Sequence, residues 1–192
     1  MRDLAREPDR GCGILECAAD GAGYRVAWSA EGPTPFMPTS ELPSHLAIHA
    51  ALRRRGAPAR ALVHTHPTEL LALSHDSRLA GEARLAGVLR AMHPEMVVAL
   101  PGGLGVVPYT LPGTMAQGVA AGAVMEGHDA ALWVKHGAVA VGRDFAEAFD
   151  LLDTVNTAAR MLLLCRAAGY EPEGLSDAEV EEVRRSLRPG SR

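Results

Sequence analysis

A sheet covered by helices, the α/β class, is what this sequence predicts, and two observations carry the prediction. Short apolar segments of strand type recur along the chain, and the helical stretches between them carry recognisable start and stop signals. The first two strand segments are joined by hairpin chemistry rather than by a helix, which argues against a simple alternating βαβ array.

Taken in order, Met1 to Arg10 is charged and lacks apolar periodicity. Cys12–Cys17 and Gly23–Trp28 read as two strands, with Asp20-Gly21 as the turn signal between them. Glu31-Gly32-Pro33-Thr34-Pro35 and Pro38 enforce an extended loop. Ser40 opens a helix that includes Glu41 and tolerates Pro43 in its first turn, and Gly56 and Pro58 end it. Arg60–His66 is a strand closed by Pro67, which has no N–H to give to a ladder. Thr68 caps the next helix, and Leu79–Met92 forms another, ended at His93-Pro94.

The continuous apolar run Met96–Leu100 reads as a buried strand; Gly102-Gly103-Leu104-Gly105 breaks it and Val106-Val107 resumes pairing. Gly113-Thr114 caps a helix to about Glu126. Ala130–Lys135 is a strand, and His136-Gly137 bends the chain into Ala138–Gly142. Asp144 with Glu147 is a capping box opening the longest helix, to Gly169, and Ser176 with Glu179 repeats the device for a last helix to about Leu187.

At 192 residues the chain is expected to be one domain with a full core. A hydrophobic content of 47% with 22% charged residues is ordinary for a globular protein, and the net charge of −4 gives no argument for nucleic acid. The three cysteines, Cys12, Cys17 and Cys165, lack ligand-like grouping and are expected to be small buried hydrophobes in a reducing compartment. With neither a signal peptide nor a membrane-spanning run in evidence, the expectation is a cytoplasmic protein without membrane or nucleic-acid partners.

Val63-His64-Thr65-His66-Pro67 is the chemical centre of the chain. Histidines at i and i+2 of a strand point to one face, about 6.7 Å apart along the chain, from where two imidazoles can share a metal. His136, directly after a strong strand and before a glycine, has the same strand-mouth position and would complete a three-histidine site with one coordination position open. His45 and His49, spaced i and i+4 on a helix, are a second possible pair without a third partner in sequence; His75, His93 and His128 are isolated.

Pro38-Thr39-Ser40-Glu41-Leu42-Pro43, His64-Thr65-His66-Pro67, Pro112-Gly113-Thr114 and His136-Gly137-Ala138 together make the chain, from about Gly11 to its end, resemble the class II aldolase and adducin family. The resemblance implies a three-layer α/β/α fold around a mixed, mostly antiparallel sheet, a homotetramer, and metal-dependent retro-aldol cleavage of a phosphorylated ketose. It implies one Zn2+ per subunit held by His64, His66 and His136, and a catalytic carboxylate at Glu41. Thr39 and Ser40 are implied in phosphate binding, at a helix start whose N–H groups suit an anion. Glu95 is implied to serve a neighbouring subunit's site.

The residue types suit the chemistry: cleavage beside a ketone builds negative charge that a Lewis acid stabilises, and a carboxylate must move a proton. Family members carry several tens of residues, including loops that complete the phosphate pocket, before the point where this chain begins. Met1–Arg10 matches none of them, so the chain reads as an N-terminally shortened form. A sister enzyme acting on another sugar phosphate, and a non-catalytic adducin-like domain, remain open. The zinc isopeptidase signature that also begins His-x-His-Pro is excluded: its Ser and Asp positions are His75 and Arg78 here.

Overall fold

Two strands, β1 (Gly13–Cys17) and β2 (Tyr24–Ser29), pair antiparallel with a bulge between Ile14 and Leu15. They belong to a compact unit ending at Leu42; a second unit runs from Pro43 onward. Close packing of Phe36 on Gly13 fixes one face of the hairpin, since a Cβ there would lie 2.6 Å from the Phe36 ring. The computed structural model describes residues 12–18, 23–30, 36–79 and 81–186. The expected Asp20-Gly21 turn, the Glu31–Pro35 loop, the charged start through Arg10 and the last residue of the final helix lie outside the described residues.

The second unit follows from α1 (Leu42–Arg54) through β3 (Ala61–Thr65), α2 (Thr68–Leu73), a 3-10 turn at Ser77–Leu79, α3 (Glu82–Arg90), α4 (Pro94–Ala99) and β4 (Leu104–Val107). It continues with α5 (Met115–Val124), β5 (Ala130–Trp133), β6 (Gly137–Gly142), α6 (Phe145–Ala167) and α7 (Asp177–Ser186). The sheet order is β3-β6-β5-β4, with both β6 pairings antiparallel and β4-β5 parallel. The mixed, mostly antiparallel sheet is therefore as expected.

Strand periodicity divides the core into two. Ala130, Leu132, Ala138 and Ala140 point into a cluster with Leu70, Leu89, Met96 and Leu162 from α2, α3, α4 and α6. Their neighbours Ala131, Trp133, Val139 and Val141 point into a cluster with Ile48 and Leu52 from α1, Ala121 from α5 and Met125 at the end of α5. A strand buried on both faces needs no polar alternation, which is why β5 and β6 read as unbroken apolar runs. Two helical layers with a sheet between them make the three-layer architecture. On the second face, α5 approaches α1 so closely that a Cβ on Gly118 would meet the Pro43 carbonyl oxygen at 2.9 Å.

Several expected elements change. Met96–Leu100 is not a strand: Met96–Ala99 lie in α4 and Leu100 caps its end, with Pro94 at the helix start after an extended His93. Met96, Val97 and Leu100 are buried while Val98 is 46% exposed, a helical spacing that a five-residue apolar run does not reveal. The helix expected from Leu79 starts only at Glu82, because Gly81 takes a left-handed φ of 110° between the 3-10 turn and α3. The helix expected to open at Ser40 begins at Leu42, with Ser40 and Glu41 in the preceding turn. Thr68 is the first residue of α2 rather than its cap; Pro67 holds the cap position without a side-chain bond. Cys12 and Cys17 are exposed rather than buried, and Cys165 is half-buried.

Of the two capping boxes, the one at Ser176 closes fully and the one at Asp144 forms its forward bond only. The Asp144 carboxylate accepts the Glu147 N–H at 2.8 Å, and Glu147 accepts the N–H of Arg143, one residue before the expected partner. Ser176 and Glu179 bond each other reciprocally. Asp144→Ala is expected to lower stability by about 1 kcal/mol, read from the denaturant midpoint at constant slope. An unmoved midpoint would show that α6 is held by packing alone.

Candidate metal centre

His64 lies on β3 and His66 one residue past its end, while His136 closes the three-residue loop Val134-Lys135-His136 between β5 and β6. That loop is set by sequence chemistry. Trp133 pairs with Gly137, the His136 N–H donates to the Trp133 carbonyl at 3.0 Å, and Lys135 takes a left-handed φ of 61°. The Lys135 N–H donates to Ser74 Oγ at 3.0 Å, which ties this strained residue to the turn after α2. The loop brings His136 to the end of β3 because β6 pairs with β3 in the register Thr65 to Ala138.

Gly137 makes the approach possible. A Cβ at this position would lie 2.5 Å from His64 Cε1, 2.7 Å from the Thr65 carbonyl oxygen and 2.9 Å from His66 Cδ2. The three rings then stand together, with centroids 4.9 Å apart for His64–His66, 5.1 Å for His64–His136 and 5.5 Å for His66–His136. One nitrogen from each lies within 4.8 Å of the others. Trp133 stacks on His64 at 4.5 Å and forms an apolar floor.

The donor set suits a metal. His64 Nδ1 donates to the Ala138 carbonyl at 3.0 Å, which places its proton and leaves Nε2 with a lone pair. That Nε2 is buried and has no hydrogen-bond partner, which costs free energy unless a cation or water meets it. Burial, reinforced by the charges of His136, His66 and His45, pushes the His64 pKa down to about 4 against the bond to Ala138, so the ring is neutral at pH 7. On α1, His45 is lowered by burial and by His49, and His49 by burial.

The other expected residues lie elsewhere in the chain. Thr39, Ser40 and Glu41 form the turn before α1. Thr39 Oγ1 accepts the Glu41 N–H at 3.2 Å, and its carbonyl accepts the Leu42 N–H at 3.1 Å. Thr39 and Ser40 are exposed and Glu41 is buried. Glu95 is in the first turn of α4, 70% exposed, and accepts from His93 Nδ1 at 2.8 Å; that bond holds its carboxyl below the ordinary range. It is not in the histidine cluster. Sequence reasoning missed Gln117, whose amide contacts His136 Nδ1 at 2.9 Å; its only sequence signal is its place three residues after the Thr114 cap.

Residues 14–163 match the family model described as Class II Aldolase and Adducin N-terminal domain. The chain belongs to the class II aldolase and adducin family. It is 36% identical to the rhamnulose-1-phosphate aldolase of Bacteroides thetaiotaomicron over 95% of this chain and 66% of that protein. It is 33% identical to the enzyme of the same name from Pectobacterium carotovorum, over 94% of this chain and 65% of the relative. The chain thus spans just under two thirds of the length of these curated relatives. Among solved structures it resembles a sugar-phosphate aldolase from Thermotoga maritima, with a TM-score of 0.69 at 36% identity over 79% of this chain and 62% of that one. It also resembles an L-fuculose 1-phosphate aldolase, with a TM-score of 0.64 at 25% identity over 88% and 69%.

Two outcomes test the geometry. Gly137→Ala forces β6 off the Thr65 carbonyl, so it is expected to weaken divalent-metal binding at the cluster at least tenfold by competition against a chromophoric chelator, with a stability loss of about 1–3 kcal/mol. In the chelated protein, unfolded His64 takes up a proton near pH 6.5 that the folded ring refuses until about pH 4. Its stabilising contribution is therefore fully present above about 6.5 and is lost as pH falls toward 4. His64→Gln should flatten part of that slope in denaturant titrations, His45 and His49 supplying the remainder.

Proposed function

We propose that this chain carries the catalytic unit of a zinc-dependent aldolase that cleaves L-rhamnulose 1-phosphate to dihydroxyacetone phosphate and L-lactaldehyde. The observation that supports it best is the three-histidine cluster, with the His64 tautomer fixed for coordination, in a chain similar to rhamnulose-1-phosphate aldolases. His64, His66 and His136 would hold one Zn2+ per subunit. Bound there, zinc supplies a Lewis acid for the ketone and hydroxyl oxygens, stabilising the negative charge that develops as the carbon–carbon bond breaks.

The remaining roles belong to the chain's own groups. Neutral imidazoles leave the cation's full charge for the substrate. Glu41 moves the proton to and from the carbon next to the carbonyl. Thr39 and Ser40, in the turn before α1, offer hydroxyls and N–H groups to the phosphate, whose binding energy positions the reacting bond. Trp133 excludes water from one side of the cluster. The proposal includes a homotetramer in which Glu95, exposed on α4, serves a neighbour's site near the aldehyde. The expected cytoplasmic setting is part of the same proposal; among the described residues no helix is long and apolar enough to cross a membrane.

A second reading is a sister aldolase acting on L-fuculose 1-phosphate, supported by the similarity to a solved enzyme of that name. Both substrates can be tested in one coupled assay of dihydroxyacetone phosphate release. With rhamnulose 1-phosphate, Glu41→Ala is expected to retain stoichiometric zinc and lose about 10²–10⁴-fold in turnover. Turnover unchanged by that substitution would remove Glu41 from the mechanism. Zinc at full occupancy with no cleavage of either sugar phosphate would favour the non-catalytic domain.

A further inference from the structure

The amide of Gln117 sits between two partners whose demands can be read from hydrogen-bond valence. The residue is 1% exposed on α5. Its Oε1 accepts the Gly113 N–H at 2.9 Å, and its Nε2 lies 2.9 Å from His136 Nδ1. A backbone N–H can only donate, so Gly113 identifies the oxygen end of the amide; the other end is therefore the NH2 group, a donor only. His136 Nδ1 consequently accepts, and the proton of the neutral ring is on Nε2. His64 has the opposite tautomer, fixed by the Ala138 carbonyl. His136 Nδ1 is taken by Gln117, and Nε2 carries the proton that a metal would have to replace.

We propose that Gln117 is the positioning residue of the third ligand, and that loading of metal on His136 Nε2 turns its amide over and releases the Gly113 N–H. This inference rests on the three-histidine metal reading. When the ring proton moves to Nδ1, it would face the NH2 of Gln117 donor to donor. Rotation of the amide by half a turn replaces that repulsion with an Nδ1–H donating to Oε1, the outer-shell bond that fixes a metal-binding histidine. The rotation also presents the NH2 group to the Gly113 N–H, so the bond at 2.9 Å is lost.

Gly113, at a left-handed φ of 74°, immediately precedes the α5 cap. Thr114 Oγ1 remains bonded to the Leu111 carbonyl and to the Gln117 N–H, so the helix start is held while one donor is freed. Metal occupancy is thereby coupled to the loop that leads into α5. A carboxylate would remove the conflict, because its two oxygens can accept from Gly113 and from the Nδ1–H together.

The test is a zinc titration of the full chain, selectively labelled with 15N-glycine and 15N-histidine. In the wild-type protein, zinc is expected to shift the His136 imidazole to the Nδ1–H tautomer, move the Gly113 amide proton upfield and speed its hydrogen exchange. In Gln117→Glu, the Gly113 amide should be unmoved by zinc and the zinc dissociation constant should fall about tenfold. Zinc binding that leaves the wild-type Gly113 amide in place overturns the proposal, whether or not the buried carboxylate variant folds. A wild-type chain that binds no zinc at the cluster overturns the metal reading itself.

Discussion

The candidate site depends on one close approach: the tip of the β5–β6 hairpin lies against the end of β3 with no room for a side chain at Gly137. Hydrogen bonding puts Thr65 opposite Ala138, and the next pair along would collide if residue 137 carried a Cβ. The absence of that atom lets His136 reach His64 on β3 and His66 just past its end. The strained Lys135 donates to Ser74 Oγ, which ties the tip that carries His136 to the turn after α2. The clustering is therefore a property of sheet register rather than of three independent side chains.

The surroundings of the cluster explain its chemistry. His64 shares a face of the sheet with Leu62 and Trp133, the face covered by α1 and α5. Burial there disfavours the imidazolium, and the Ala138 carbonyl selects the tautomer. Together they make a neutral donor with its lone pair turned away from the backbone. His136 takes its partner from α5 instead, through an amide that can present either a donor or an acceptor. One histidine is thus held by a group that cannot change its hydrogen-bonding role, and the other by a group that can. The second arrangement gives the site a moving part.

Most helices were legible because their ends are chemically marked. Asp144, Ser176 and Thr114 accept the N–H groups expected of caps, and Gly169 follows the end of α6. The failures occurred where the signal was short. Five apolar residues at Met96–Leu100 fit a strand or one buried helical turn equally well, and only packing on α6 and α7 decides between them. Pro94 was the overlooked clue, since its fixed φ suits a first helical turn. Exposure of Cys12 and Cys17 was equally unmarked, because a strand's outward face is set by what packs on it.

By itself, the sequence singled out His64, His66 and His136, the strand-mouth positions of the last two, the order of the motifs and hence the family. These are local facts: a two-residue spacing, a proline that ends a ladder, a glycine beside a histidine. Tertiary structure decided the rest, because each remaining feature joins residues far apart in the chain. It set the distances between the three rings, the tautomer of His64, the depression of its pKa and the participation of Gln117. A hydrogen bond such as that between Gln117 and His136, on different elements, has no periodicity to betray it; it exists because the sheet and its covering helices bring the two side chains together.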